Sequence, residues 1–202
     1  MATYTYPTTR AWHPRSQYWG TRTNTRTNTS GLNGASQTVT LPGSRWLLTM
    51  SYPQQTQAER AALMALLFKV SGGEHLLALG DMAQPRPRGS INLTGVTASA
   101  AAQFATSLVL NGCGASKTLL AGDKFSVAGQ LLVCTDDATA SAGGVMTVSF
   151  RHMLRAAVTG GAVVTLDGPT ALFQLLATDI GSQSDPAART GSLTFDLVEA
   201  FA

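Results

Sequence analysis

The sequence predicts a mainly β protein of sandwich or barrel type, with one α-helix and an extended N-terminal arm. Short β-like runs recur from residue 37 onward, and Gly, Pro, Asn or Asp separates most of them. A single convincing helical pattern covers residues 56–70. The 202 residues are 44% apolar and only 12% charged, which fits a folded chain with extensive buried surface and excludes a disordered one.

Residues 1–36 are expected to form the arm, and residues 37–202 a β-rich domain. Residues 21–30 repeat Thr-Arg-Thr-Asn and are entirely polar. A segment this polar cannot bury enough apolar surface to offset its own ordering entropy. We therefore expect it to order against a partner, which would also cover Trp12 and Trp19. Deleting residues 1–30 should then leave the β-rich domain folded and impair assembly.

The positive charge is concentrated in the N-terminal quarter of the chain. The net charge is +3, but residues 1–58 contain no acidic residue and five arginines, whereas the remainder is net −2. These arginines are Arg10, Arg15, Arg22, Arg26 and Arg45. Such an asymmetry is typical of an arm that reaches nucleic acid or an acidic protein surface. Five arginines over 58 residues are sparse for nucleic acid, which favours an acidic neighbouring subunit.

A β-hairpin is predicted where the arm ends. Two β-like runs, QTVTL at 37–41 and RWLLTMSY at 45–52, are joined by Pro42-Gly43-Ser44. A Pro-Gly pair between such runs is a strong turn signal. Trp46 is expected on the core face of the second strand.

The helix at 56–70 carries its own start and stop signals. Thr56 and Glu59 have the spacing of a capping box, and Gly72-Gly73 ends the pattern. The apolar side chains fall on two faces, so both sides of the helix are expected to be covered. One face holds Ala61, Met64, Leu67 and Phe68, and the other holds Leu63 and Leu66.

The rest of the chain is predicted to form short strands. A buried strand at 75–81 is followed by a loop at 83–90, where two prolines and a glycine block regular structure. A strand-rich submodule is expected at about 101–168. The predicted strands are 91–98, 104–112, 123–135, 145–150, 162–167, 171–176 and 193–201.

No arrangement of residues indicates catalysis, a metal or a cofactor. The segment NGCGASKTLL at 111–120 approaches a phosphate-binding loop, but Asn111 and Ser116 stand where that motif requires glycine. The three histidines, His13, His75 and His152, lack the spacing of metal ligands. We therefore predict that the protein is not an enzyme and has no cofactor.

The two cysteines also favour a structural role. Cys113 and Cys134 lie in apolar, strand-like surroundings and match no zinc-binding pattern. We expect both to be buried, reduced thiols that act as small hydrophobic side chains.

Several segments, taken in order, are similar to a known family. They are SRWLLTMSYP at 44–53 with the helix that follows, GGEHLLALGD at 72–81, PRPRG at 85–89, LLAGDKFSVAGQLLVCTDDATASAGGVMTVSFRHMLR at 119–155 and GGAVVTLDGPTALFQLL at 160–176. Over roughly residues 37–180 the chain resembles the minor tail and distal tail proteins of the tail tip of tailed bacteriophages. The Thr-, Asn- and Arg-rich start departs from that pattern.

The resemblance implies a virion protein assembled in the cytoplasm of a bacterial host. It implies a homo-oligomer, a hexameric ring that joins the tail tube to the hub or baseplate of the tip and lies near the tape measure. Such proteins combine a β-rich ring domain with a peripheral β module. DNA would pass through the lumen without specific binding, which favours acidic or neutral lumen residues over arginine. Weak candidates for the lumen are Asp81, Asp123, Asp136 and Asp137.

Tryptophan and arginine are the usual anchors of interfaces, so they supply the candidate contacts. The candidates are Trp12, Trp19, Arg22, Trp46, Arg86 and Arg88. Trp46 could instead be an ordinary core residue, and Arg86 and Arg88 could instead lie in a solvated loop without a partner.

Two other functions fit the sequence: a peripheral module that binds a receptor or carbohydrate, or another ring protein of the tail or connector. No run of about 18 apolar residues is present, so no membrane-spanning helix is expected.

Overall fold

The protein is mainly β with a single α-helix in the described part of the chain, as the sequence predicts. The computed structural model describes residues 1–7, 12–176, 181–186 and 190–201. The helix α1 spans Gln57–Val70. The strands are β1 (Thr3–Thr5), β2 (Ser16–Arg22), β3 (Thr25–Thr29), β4 (Ser36–Thr40), β5 (Arg45–Thr56), β6 (Leu76–Gly80), β7 (Thr97–Ala98), β8 (Ser107–Asn111), β9 (Thr118–Leu119), β10 (Lys124–Val127), β11 (Gln130–Cys134), β12 (Ala138–Thr139), β13 (Met146–Arg151), β14 (Ala162–Thr165), β15 (Thr170–Leu175), β16 (Gln183–Asp185) and β17 (Thr190–Glu199).

The chain divides into two compact units that interleave along the sequence. Unit 1 comprises residues 1–20, 46–86 and 168–202, and unit 2 comprises residues 21–45 and 87–167. The boundary expected at residue 36 coincides with neither border, because the first strands belong to the sheet of unit 1. Residues 87–167 form a continuous insertion into unit 1, close to the submodule expected at about 101–168.

Unit 1 is built on a seven-stranded sheet. The strand order is β1-β6-β15-β17-β5-β2, with β16 added beside β17. The strand β1 pairs parallel to β6, whereas β6, β15, β17 and β5 pair antiparallel in turn. Leu48 and Met50 of β5, Leu77 of β6 and Phe173 of β15 are buried in the core.

The N-terminal strand is part of this core rather than a loose arm. Thr3–Thr5 pair with Leu76–Ala78 of β6, and Tyr6 is buried. The Tyr6 hydroxyl hydrogen bonds the Tyr52 hydroxyl, and the Trp12 carbonyl accepts from Tyr6 at 2.8 Å. The expectation that residues 1–30 can be removed from a folded domain is therefore wrong, since their removal takes β1, β2 and a buried tyrosine from unit 1.

The helix begins as its sequence predicts, but its buried side takes only one residue from each of the two expected faces. The Thr56 hydroxyl accepts the Glu59 backbone N–H, and the Glu59 carboxylate accepts the Thr56 N–H at 3.0 Å, which completes the capping box. The buried residues are Leu63, Leu67 and Val70. Phe68, which was expected on a covered face, is 61% exposed. The side of α1 around Phe68 is therefore exposed in the described part of the chain.

Unit 2 contains a closed six-stranded barrel and two small two-stranded sheets. The barrel order is β10-β11-β13-β8-β7-β14, and the additional sheets pair β9 with β12 and β3 with β4. The run predicted as one strand at 123–135 is two strands, because Ala128-Gly129 form a turn with positive φ at both residues. Cys113 and Cys134 are buried and unbridged in the barrel core, as predicted. Among the described residues, no helix has the length and apolarity needed to cross a membrane.

Candidate interaction sites

The β3–β4 hairpin, residues 24–41, has the features of a docking element. Every residue of both strands is exposed, and the described strands pair only with each other. Arg26 lies opposite Val39, and the Thr27 and Thr38 hydroxyls hydrogen bond at 3.0 Å. A two-stranded hairpin with no covered face is at best marginally stable in water. We therefore expect the hairpin to be stabilised by packing against a surface outside the subunit.

The base of this hairpin is held firmly. The Asn24 carbonyl accepts the Leu41 N–H at 2.7 Å, and the Asn24 side-chain amide donates to the Pro42 carbonyl at 2.8 Å. Within unit 2, residues 40–44 line a small pocket together with residues 151–153 and 155 at the end of β13. The hairpin is thus anchored at one end and exposed along its length.

The three tryptophans lie in unit 1 and serve mainly its packing. Trp46 is buried, and Trp19 packs edge-on against it with ring centroids 5.6 Å apart. Trp19 also contacts Phe173 edge-on at 5.7 Å. Trp12 is half-buried and packs edge-on against Tyr6. Trp46 is therefore a core residue. Trp12 and Trp19 are partly buried by aromatic contacts within the subunit.

The three arginine candidates have different environments. Arg22 at the end of β2 and Arg86 in the proline loop are exposed. Arg88 is anchored: its side chain is 57% exposed, yet the guanidinium donates to the Asp123 carboxylate at 3.4 Å and to the Ala121 carbonyl. Arg22 and Arg86 are thus exposed residues, whereas Arg88 takes part in a cluster around Asp123.

The centre of that cluster is the Asp123 carboxylate, which is completely buried. One oxygen accepts the Arg88 backbone N–H at 2.9 Å and its Nε at 3.4 Å. The other oxygen accepts the Gly89 N–H at 3.1 Å and the Leu120 N–H at 2.9 Å. Asp123 thereby ties the loop that follows the proline segment to the strands of the barrel.

Gly89 is required for this close approach. A Cβ at residue 89 would lie 2.2 Å from the carbonyl oxygen of Thr118. Because that neighbour is backbone, it cannot move aside as a side chain could.

The prediction that Asp123 faces a lumen is wrong, because its carboxylate is completely buried and accepts hydrogen bonds within unit 2. Asp136 and Asp137 are exposed, and their position relative to a lumen stays a prediction.

His152 is a buried ionisable group of unit 2. Together with Met153 and Arg155 it lines a small pocket that residues 40–44 also line. Burial lowers the pKa of His152, and the positive charges of Arg155 and Arg151 lower it further. The folded state therefore favours the neutral imidazole.

This shift predicts a loss of stability in mild acid. In the unfolded chain His152 binds a proton near its ordinary pKa of about 6.5, whereas the folded chain resists protonation until lower pH. The contribution of neutral His152 to the free energy of unfolding is complete above the pKa that this residue has in the unfolded chain. It is lost as the pH falls through the lower pKa that His152 has in the folded chain. We expect the urea midpoint to fall between about pH 7.5 and pH 5.5. His152→Gln should remove most of that decrease, and the exposed His13→Gln should retain it; equal slopes in all three proteins would contradict this assignment.

Burial shifts the pKa values of both cysteines and of two tyrosines among the described residues. Burial raises the pKa of Cys134 to about 12, with the nearby Asp123 charge adding to the effect, and burial also raises that of Cys113. Both are therefore protonated thiols at neutral pH. Burial raises the pKa of Tyr6 to about 12 and that of Tyr52 in the same direction. Over the described ranges, no three His, Cys, Asp or Glu side chains form a group that could hold a metal ion.

The hairpin predicted between residues 37–41 and 45–52 is wrong, because β4 pairs with β3, whereas β5 enters the large sheet and pairs with β17. Sequence reasoning also missed the role of Asp123. The tripeptide Ala121-Gly122-Asp123 carries no marker that distinguishes a buried acceptor from a surface carboxylate. No protein-family model matches the sequence, and no curated protein is significantly similar to it.

Proposed function

We infer that this chain is a structural protein of the tail tip of a tailed bacteriophage. It acts as a ring-forming adaptor, a homo-oligomer of six subunits that joins the tail tube to hub or baseplate proteins. The tape measure lies nearby, and DNA passes through the lumen. The ring assembles in the host cytoplasm and functions in the virion, by binding rather than by catalysis.

The two-unit organisation supports this proposal. The order of sequence segments resembles distal tail proteins, in which a β-rich ring domain carries a peripheral β module. Here a sheet-and-helix unit carries an inserted β-barrel unit. Two units with separate cores allow one to build a ring while the other contacts different partners.

The observation that carries the proposal is the exposed β3–β4 hairpin. Among the described strands, the outer edges of β3 and β4 pair with no further strand, and such edges are templates for pairing with another chain. Arg26 on the hairpin and Arg22 just before it are exposed, in a segment without acidic residues. Exposed carboxylates occur elsewhere in the chain, among them Asp136, Asp137 and Asp196, and on a neighbouring copy they can supply acidic partners for these arginines. A head-to-tail contact of this kind closes into a ring when its rotation divides a full turn.

The alternative of a carbohydrate-binding barrel lacks a binding platform. Residues 91–170 contain three aromatic side chains, Phe104, Phe125 and Phe150. Phe125 and Phe150 pack edge-on against each other in the barrel core, and Phe104 alone is exposed. A sugar bound to residues 91–170 could therefore stack on one exposed aromatic ring at most, that of Phe104.

The proposal predicts closed rings and a defined place in the virion. Native mass spectrometry and negative-stain imaging of the full chain should show six-subunit rings. Antibody to the chain, visualised with gold on virions released by the host that carries this gene, should label the distal end of the tail. A protein that stays single at every concentration, or label on the head or along the tube, would contradict the proposal.

A further inference from the structure

The chain contains two Asn-Gly pairs, and the structure places them in different surroundings. The pairs are Asn33-Gly34 and Asn111-Gly112. Asn33 and Gly34 are exposed in the loop at the tip of the β3–β4 hairpin. Asn111 is half-buried and is the last residue of β8 in the barrel. Because glycine has no side chain, the backbone nitrogen that follows each asparagine is open to contact with the asparagine amide.

The Asn33 side chain is folded over the peptide bond to Gly34. Its Oδ1 accepts the Ala35 backbone N–H at 3.1 Å. This is the Asx-turn arrangement, in which an asparagine side chain reaches forward across the next residue and takes the place of a backbone carbonyl. The arrangement brings the side-chain carbonyl carbon of Asn33, Cγ, close to the Gly34 nitrogen. The electrophile and the nucleophile of a ring closure are thus held together.

A second feature of the tip favours reaction at Cγ. Attack on this carbon places negative charge on Oδ1, and the Ala35 N–H already donates to that oxygen. The Gly34 N–H donates to the Ser30 carbonyl at 3.0 Å, which opposes attack by its nitrogen. That hydrogen bond lies in an exposed loop, where backbone hydrogen bonds open readily. Local opening therefore releases the nucleophile without unfolding the subunit.

Asn111 is held in a way that opposes the same reaction. Its Nδ2 donates to the Ser99 hydroxyl at 3.0 Å, which fixes the amide on a neighbouring segment of the chain. In the sheet Asn111 lies opposite Thr97 of β7. Freeing this asparagine disturbs the closed barrel, which costs more than opening a hairpin tip. The second Asn-Gly pair is therefore expected to be stable in the folded chain.

We propose that Asn33-Gly34 is a site of spontaneous deamidation, which gives the hairpin a negative charge as the protein ages. The Gly34 nitrogen forms a bond to Asn33 Cγ, the Cγ–Nδ2 bond breaks, and Nδ2 leaves as ammonia with the proton that the Gly34 nitrogen gives up. Water then opens the resulting succinimide at either carbonyl. The product is an aspartyl or an isoaspartyl residue at position 33. The reaction needs only water and residues of the tip, so it does not rest on the proposed function.

The new carboxylate changes the charge of the hairpin. Arg26 is the only charged residue between positions 24 and 41, so the net charge of this segment falls from +1 to zero. The isoaspartyl product also lengthens the backbone of the tip by one methylene group. Because residue 33 lies outside β3 and β4, the pairing of the two strands should persist.

Peptide mapping of the aged full chain tests the site. Trypsin releases residues 27–45, which contain Asn33, and residues 89–117, which contain Asn111. Deamidation raises the mass of a peptide by about 1 Da. When the folded chain is stored in mildly alkaline buffer, this gain should appear at Asn33 at least about tenfold faster than at Asn111. No gain at Asn33, or equal rates at the two sites, would overturn the proposal.

Unfolding supplies the matched comparison between the two pairs. In concentrated guanidinium chloride both lose their contacts, so their rates should become similar. Asn111 should then react at least about tenfold faster than in the folded chain, whereas the rate at Asn33 should change little. If folding slows Asn33 as much as it slows Asn111, the tip protects its asparagine and the proposal is wrong.

A substitution identifies the reacting residue. Asn33→Gln lengthens the side chain, so that ring closure would need a six-membered ring. It should remove the mass gain from residues 27–45 and leave residues 89–117 unchanged. An isoaspartyl methyltransferase with a labelled methyl donor should label the aged chain and leave the aged variant unlabelled. A mass gain that persists in residues 27–45 of the variant would place the reaction at Asn28 and overturn the proposal.

Discussion

Asp123→Asn is expected to destabilise unit 2 more than any other single conservative change in the described barrel. Each carboxylate oxygen of Asp123 accepts two N–H groups, and the whole side chain is buried. An asparagine has one acceptor oxygen and one NH2 group. In either orientation of the amide, its NH2 group faces two N–H donors, so two hydrogen bonds are lost and the donors repel.

The expected loss is about 3 kcal/mol, since unsatisfied buried donors cost about 1–3 kcal/mol and the lost bonds are charge-assisted. For a chain of this size that corresponds to a fall in Tm of about 6–12 °C. Differential scanning calorimetry measures it directly. The matched control is Asp136→Asn, because Asp136 is exposed and its carboxylate accepts from the Thr135 hydroxyl next to it in sequence. A Tm equal to that of the control would show that the Asp123 cluster does not hold the loop to the barrel.

Local signals allowed the fold class to be predicted, and long-range pairing explains where the prediction failed. The capping box between Thr56 and Glu59 needs only four consecutive residues, so it was predicted correctly. The pairing of Thr3–Thr5 with Leu76–Ala78 joins segments about seventy residues apart, and no pattern in a short polar strand reveals its partner. The N-terminal segment consequently looked like a free arm, although Tyr6 completes the core of unit 1.

The helix error has a related cause. Its apolar residues occur on both sides, so periodicity alone gave two faces without saying which one the sheet covers. The structure buries Leu63, Leu67 and Val70 and leaves Phe68 exposed. The candidate interfaces share this limit. The sequence shows that the segment 21–30 is polar and basic, but only the structure shows that residues 25–29 form a hairpin strand in which every residue is exposed.

Replacing the β3–β4 hairpin should abolish ring formation and leave the subunit folded. The design follows from its base, where the Asn24 carbonyl accepts the Leu41 N–H at 2.7 Å. Because the two ends already meet, an Asn-Gly turn can replace residues 25–40 without moving either one. None of the removed side chains in β3 or β4 is buried, so the Tm should change little. The six-subunit species in native mass spectra should disappear.

The matched control shortens the hairpin at its tip and keeps both strands. Ser30 and Ala35 are joined by a backbone hydrogen bond of 2.8 Å, so Asn-Gly in place of residues 31–34 preserves the register of β3 and β4. This variant also loses Leu32, the most exposed apolar side chain of the hairpin. Because strand edges rather than the tip are expected to pair with the neighbour, it should form rings as the unmodified chain does. Rings that persist after removal of residues 25–40 would exclude the hairpin as the ring contact and shift that role to the uncovered face of α1 around Phe68.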